Sequence, residues 1–296
     1  MSLVEIACDE SGYEGEKLVG GVTDVFAHAS VVLDEAAAAE CVAELRRRIR
    51  SPATVYKANH LQRSKHRPVL LWLLGPEGPV LGNAQVLLVD KTYFLVARLT
   101  EHLVGLAPDD LYAAGRSTGG TAWEDFLAAG NYLLRVRDYP DVVPNFFQSL
   151  DKLEFEDATL TALRQSREYA EEVRAKLFEL PRMIPPLDPL LPAIARAVEY
   201  WGHDEPVAVA HDRQTTLWPE RIEQLRLGAR LARLELVDSF IHSGIQVADF
   251  LAGVARKIAS DQLKGEDDAE LTALIRPYLD PRSVWGDPAS WKRLTS

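Results

Sequence analysis

Leu3-Val4-Glu5-Ile6-Ala7-Cys8-Asp9-Glu10-Ser11-Gly12 is the stretch whose reading decides the fold. Its apolar residues alternate, so Val4, Ile6 and Cys8 line one face of a strand and Leu3, Ala7 and Asp9 the other. The run ends in two adjacent carboxylates, a hydroxyl and a glycine, and Gly12 lets the backbone turn sharply. An acid at the end of a first core strand either opens an acidic turn or belongs to a site. Partners elsewhere in the chain decide between the two.

At 296 residues the chain is long enough for one large domain or two small ones. Its hydrophobic content of 47% and charged content of 26% are those of an ordinary globular protein, so no unusual class is called for. No apolar run approaches the ~20 residues that cross a bilayer. The longest, Pro68 to Leu74, reads as a short buried helix, and no membrane partner is expected. Glu5, Asp9 and Glu10 stand where a signal peptide is basic and then apolar, so the expected compartment is the cytoplasm. Cys8 and Cys41 lack paired spacing and read as buried hydrophobes rather than zinc ligands or a disulfide.

The net charge of −11 weighs against a nucleic-acid partner. Its distribution weighs the other way. Arg46, Arg47, Arg48, Arg50, Lys57, Arg63, Lys65 and Arg67 follow one another with no acid between them until Glu77. Such a stretch is either a solvated helix face or a surface for a phosphate backbone.

Further strands are expected over Lys17 to Gly21 and Val25 to Leu33. Asp34 caps a helix from Glu35 to about Arg50, which Ser51-Pro52 ends. A second helix is expected from about His60 to Leu74. Ala84 to Asp90 is a near-continuous apolar run, the mark of a strand buried on both faces. Residues 92–201 read as a large helical insertion. Within it Thr121 is placed to cap a helix, and another runs from about Thr159 to Glu179. Gly115 to Gly120 is glycine-rich, but it lacks the lysine of a phosphate loop and reads as a turn. Strand character returns at Val207 to Asp212 and Leu234 to Val237, with a helix from Pro219 between them. A last helix covers Ser243 to Arg256. Strands first, helices in the middle, then strand-helix-strand-helix describe one α/β domain over residues 1–296.

Asp212 ends its strand as Asp9 does, beside the small residues Ala208 and Ala210. Asp249 lies on the last helix, opposite the apolar stripe of Val247, Leu251, Val254 and Ile258. Ala252 and Gly253 beside it suggest a flat approach for a phosphate or a metal. Three acids from separate segments suggest a divalent-cation site, and hard oxygen ligands select Mg²⁺ or Mn²⁺ over zinc. The seven histidines form no zinc pattern, and no Gly-x-Ser-x-Gly turn marks a serine nucleophile.

Asp9-Glu10-Ser11-Gly12, together with Ser243-Gly-Ile-Gln-Val-Ala-Asp-Phe-Leu-Ala-Gly253, resembles the Domain of Unknown Function 3800 family. Lys57 and the strand ending in Asp212 fall where that family has its middle motifs. The resemblance implies a ribonuclease H-like mixed sheet flanked by helices, and a metal-dependent nuclease or phosphoryl-transfer role. It places Asp9, Asp212 and Asp249 at the family's acidic positions, with Glu10 in the first motif. The middle motif departs from the family's pattern, because Val55 stands where a glutamate is usual and only Lys57 matches.

The expected activity is phosphodiester hydrolysis by a two-metal carboxylate site. Asp9, Glu10, Asp212 and Asp249 would hold Mg²⁺ or Mn²⁺. Lys57 would meet the scissile phosphate, and Arg46, Arg47, Arg48, Arg50, Arg63, Lys65 and Arg67 the DNA or RNA backbone. Because adjacent strand residues face opposite ways, Glu10 joins the site only if the chain bends after Asp9. Two other functions compete with this one: a scaffold that has kept the fold and lost the chemistry, and a hydrolase of a small nucleotide or phosphorylated substrate. The helical stretch also offers surface for a homodimer.

Overall fold

In the computed structural model, which describes residues 3–50, 64–137, 139–179, 185–228 and 230–296, β1 (Val4–Ser11) is the central strand of a five-stranded mixed sheet. On one side it pairs antiparallel with β2 (Val25–Val31), which pairs antiparallel with β3 (Ala84–Asp90). On the other side β4 (Val207–Asp212) runs parallel to it, and β5 (Leu231–Val237) parallel to β4. The order is therefore β3-β2-β1-β4-β5.

Strand alternation divides the core in two. Ile6, Cys8, Phe26, Leu87 and Val89 pack on one face with the helices that follow β3. Ala27, Ala29, Val31, Val86 and Leu88 pack on the other with the chain's longest helix. The first layer contains α3 (Lys91–Leu103), α4 (Asp109–Thr118), α5 (Gly120–Leu134), α6 (Val142–Asp151), α7 (Ala158–Arg164), α8 (Arg167–Glu179) and α9 (Leu190–Gly202). The second is built from α1 (Glu35–Ile49), α2 (Arg67–Leu74), α11 (Ser243–Lys264), α12 (Ala269–Ile275) and α13 (Pro288–Thr295), while α10 (Pro219–Gly228), which connects β4 to β5, packs with the first through Leu225. Among the described residues no helix is long and apolar enough to cross a membrane.

Several elements form as the residues dictate. The Asp34 carboxylate accepts the Ala37 N–H at 2.8 Å and starts α1. β3 is buried along its whole length because helices cover both faces. Its outer edge is closed by the segment that carries Leu279 and Val284, whose Val284 N–H donates to the Leu88 carbonyl at 2.8 Å. The other edge strand, β5, has Arg233 and Glu235 exposed, charges that discourage pairing with a further strand. Cys8 and Cys41 are both buried and unpaired.

Other expectations are corrected. Residues 17–21 form no strand; the Leu18 N–H instead donates to Asn131 Oδ1 of α5 at 3.2 Å. Gly115 sits inside α4, packed so closely on Trp123 that a Cβ there would meet the indole at 2.4 Å. Thr121 caps nothing, because α5 already begins at Gly120. The helix expected over 159–179 is two helices, broken at Gln165-Ser166, whose N–H groups turn back to the Ala162 and Leu163 carbonyls.

Candidate carboxylate site

β1 does not end at Asp9. It continues through Glu10 and Ser11, which pair with His28 and Ala27 of β2. Asp9 pairs with Ala29 and so points to the α11 face; Glu10 points to the face of the helical layer. Gly12 then takes a φ of +81° and turns the chain.

On the α11 side, Asp9 is 5% exposed, and its Oδ1 accepts the N–H of Glu10 at 2.7 Å. Asp212 is the half-buried last residue of β4, and its Oδ1 accepts the Ser239 N–H at 3.1 Å. Asp249 is half-buried on the second turn of α11. Burial first, and then the negative charges of Glu10, Asp249 and Asp212, hold the Asp9 carboxyl well above the usual carboxylate range. The three aspartates predicted from separate segments therefore do share one electrostatic neighbourhood.

α11 reaches that neighbourhood because it approaches the sheet closely at its start. A Cβ on Gly244 would lie 2.8 Å from the Ala7 Cβ, so only glycine fits there. At the far end of β1, Arg256 of α11 donates from Nε to Ser11 Oγ at 2.9 Å. The flat approach expected at Ala252 and Gly253 is absent. Both are buried, because α11 packs on the sheet with one side and on α1 with another.

Glu10 belongs to a second cluster. Its side chain is 5% exposed, and its Oε2 lies 3.6 Å from Nε2 of the fully buried His211. Gln214 Nε2 donates to its other oxygen. His211 stacks on His28 with ring centroids 5.5 Å apart, and its Nδ1 lies 2.9 Å from the Asp212 carbonyl. Glu10 Oε2, His211 Nε2 and both nitrogens of His28 have no hydrogen-bond partner. Burial, aided by Asp212, raises the Glu10 carboxyl to about 8, and burial lowers both histidines. The cluster is thus an acid and two imidazoles that are all neutral at pH 7. Alternation along β1, β2 and β4 was the signal available in the sequence for His28 and His211; reading the histidines only for zinc spacing missed them.

The basic stretch is partly spent inside the protein. Arg47 and Arg48 both pair with Glu44, and Arg48 also lies over the Trp72 ring at 4.5 Å. Arg67 is held by Asp268 and Glu270 of α12. Arg46 and Arg50 are exposed at the end of α1, and Arg46 Nη2 reaches Gln246 Oε1 of α11 at 3.4 Å. Lys65 is exposed on the turn before α2. Lys57, Val55 and Arg63 lie outside the described residues.

Whether these residues suit a cation divides into two tests. The donor chemistry suits one: Asp9, Asp212 and Asp249 offer hard carboxylate oxygens. The spacing does not, since among the described residues no three Asp, Glu, His or Cys side chains stand together as ligands of one ion. A cation would have to draw these carboxylates together.

Compared with models of protein families, with curated proteins and with solved structures, the chain matches none.

Proposed function

We propose that this protein is a divalent-cation-dependent phosphodiester hydrolase that acts on nucleic acid. Asp9, Asp212 and Asp249 are its metal-holding carboxylates, and its fold is ribonuclease H-like. The observation that carries this reading is the convergence at Asp9, a buried carboxyl raised by burial and then by the charges of Glu10, Asp249 of α11 and Asp212 of β4. Like charges held together cost stability unless something positive joins them, and Mg²⁺ or Mn²⁺ is the partner that oxygen donors select. Asp9, Asp212 and Asp249 would hold such an ion, whose chemistry would be to lower the pKa of water and offset charge on the leaving oxygen.

The protein's own groups have simpler tasks. The Glu10 N–H and the Ser239 N–H orient Asp9 and Asp212. Arg46 and Arg50, exposed at the end of α1, meet backbone phosphates. The mixed sheet with β1 at its centre supports the ribonuclease H-like reading, with residues 92–201 as a helical insertion. The motif likeness to the Domain of Unknown Function 3800 family belongs to the same proposal.

Hydrolysis of labelled single- and double-stranded DNA and RNA with Mg²⁺ or Mn²⁺ tests it. Activity is expected in the native protein and absent from Asp9→Asn and Asp212→Asn. Unchanged activity in either variant overturns the site.

Two observations favour a second reading, a scaffold without chemistry. Arg47, Arg48 and Arg67 are already paired, and the carboxylates do not stand as ligands of one ion. Calorimetry with Mn²⁺ separates the two, because the scaffold shows no binding below millimolar concentrations.

A further inference from the structure

Beside the carboxylates, two large apolar side chains face solvent. Phe240 is 67% exposed and Ile241 78%, next to one another in a single 3₁₀ turn, Ser239–Ile241. Scattered exposed hydrophobic residues need no explanation, but these are held in place. The Asp238 carboxylate accepts the Phe240 N–H at 3.0 Å, and the Asp238 carbonyl accepts the Ile241 N–H at 3.1 Å. Gln246 of α11 donates from Nε2 to the Ser239 carbonyl at 2.7 Å. The Ser239 N–H is the group that holds Asp212. These bonds fix the backbone of the turn, and Phe240 stands largely exposed on it.

We propose that Phe240 is a stacking platform for an unpaired nucleobase of the nucleic-acid substrate. The inference rests on the hydrolase reading above and adds to it that the substrate is single-stranded where it meets the site. Three observations select this occupant. Phe240 directly follows Ser239, whose N–H bonds Asp212, so the two Cα atoms are ~3.8 Å apart. The turn that carries Phe240 is therefore tied to one of the acids. Arg46, exposed and touching the same Gln246 that pins the turn, supplies a cation for the adjoining phosphate. The patch is two side chains, at most a few hundred Å² and well below the ~800 Å² per partner of a stable protein interface. A base inside a duplex has both faces covered by its neighbours, so an aromatic ring gains a stack only from an unpaired one. A backbone fixed before binding leaves only the side chain's freedom to be lost when the base arrives.

The test is binding at fixed salt of fluorescein-labelled dT12 and rU12, a 12-residue abasic strand and a 12-base-pair duplex, in EDTA to prevent cleavage. Phe240→Ala is expected to weaken dT12 and rU12 binding by about 5- to 150-fold, the range of one base–aromatic stack, and to leave the abasic strand and duplex unchanged. Phe240→Tyr restores binding. In Phe240→Trp, dT12 quenches the new indole and the abasic strand does not. Equal dT12 affinity in native and Phe240→Ala protein overturns the stacking role, as does equal native affinity for dT12 and the abasic strand. Asp9-dependent cleavage that is indifferent to Phe240→Ala overturns the stacking role alone. Phe240-dependent binding with no cleavage by any metal-loaded form supports the stack and overturns the hydrolase. Because Phe240 is mostly exposed, the variants should melt as the native protein does.

Discussion

Asp9 and Glu10 are neighbours in the chain and lie on opposite faces of the sheet, joined by the Glu10 N–H bonded to Asp9 Oδ1 at 2.7 Å. Asp9 faces α11 and two other aspartates; Glu10 faces two buried histidines. Each carboxyl is raised by burial and by shared negative charges, but their hydrogen-bond partners differ.

Glu10 contributes a pH-dependent share of stability between pH 6.5 and 8. Its carboxyl moves from 4.5 to about 8 on folding, so over this range the folded protein holds a proton that the unfolded chain has lost. Its share of stability therefore falls as pH rises, by at most about 1.4 kcal/mol per unit, or about 2 kcal/mol across the window, and the raised Asp9 carboxyl acts in the same direction. Below pH 6.5 the unfolded chain gains protons that His28 and His211 refuse in the fold, and the trend flattens or reverses. Denaturant titrations at several pH values in EDTA should show this slope. Glu10→Gln, which can still accept from Gln214, should reduce it by about one proton.

Protons and a cation compete for Asp9. If Asp9, Asp212 and Asp249 hold Mn²⁺, the ion stabilises the protein more at pH 8 than at pH 5.5. At 100 times its dissociation constant the gain is about 2.7 kcal/mol. Thermal melts with and without Mn²⁺ check this, and an equal shift at both pH values counts against the site. Asp9→Asn should lose the Mn²⁺ effect and at least about 100-fold in hydrolysis, and it should melt higher than the native protein in EDTA at pH 8.

The start of α11 tolerates no side chain where it meets β1. Gly244→Ala places a methyl 2.8 Å from the Ala7 Cβ and should cost about 1–3 kcal/mol as the helix moves off the sheet. The same movement carries Asp249 away from Asp9, so Mn²⁺ binding should weaken as well. Adding Ala7→Gly vacates the space, and the double variant should recover part of both losses. Strict additivity in that cycle would show that the two positions do not touch.

The arginines should divide by their partners. Arg46→Ala lowers the salt dependence of single-strand binding by about one counterion, because Arg46 is exposed beside the turn that carries Phe240. Arg67→Ala should leave that slope unchanged, since its charge is already taken by Asp268 and Glu270. Equal effects from both variants would mean that the whole basic stretch, and not one end of α1, meets the nucleic acid.

The sequence by itself determined much of the framework. Period-2 alternation located β1 and β2, and apolar runs located β3 and β4, because which faces of a strand are buried is written locally in its residues. The apolar spacing of α11 and the Asp34 cap of α1 were legible for the same reason. Asp9, Asp212 and Asp249 could be singled out as acids on or beside such elements. Local pattern was silent on pairing across the chain. It could not say that Asp268 and Glu270 neutralise Arg67, that Asn131 takes Leu18 out of a strand, or that Ala252 and Gly253 are buried.

The fate of Glu10 shows most directly what only the tertiary structure decided. Its identity as an acid after Asp9 was plain; its face depended on whether β1 stopped or continued. Pairing with His28 continues the strand, and one residue of register sends Glu10 through the sheet to the other side. Sequence sets the charge of a group. The fold, by choosing which surface buries it and beside what, sets its proton, its partners and its chemistry.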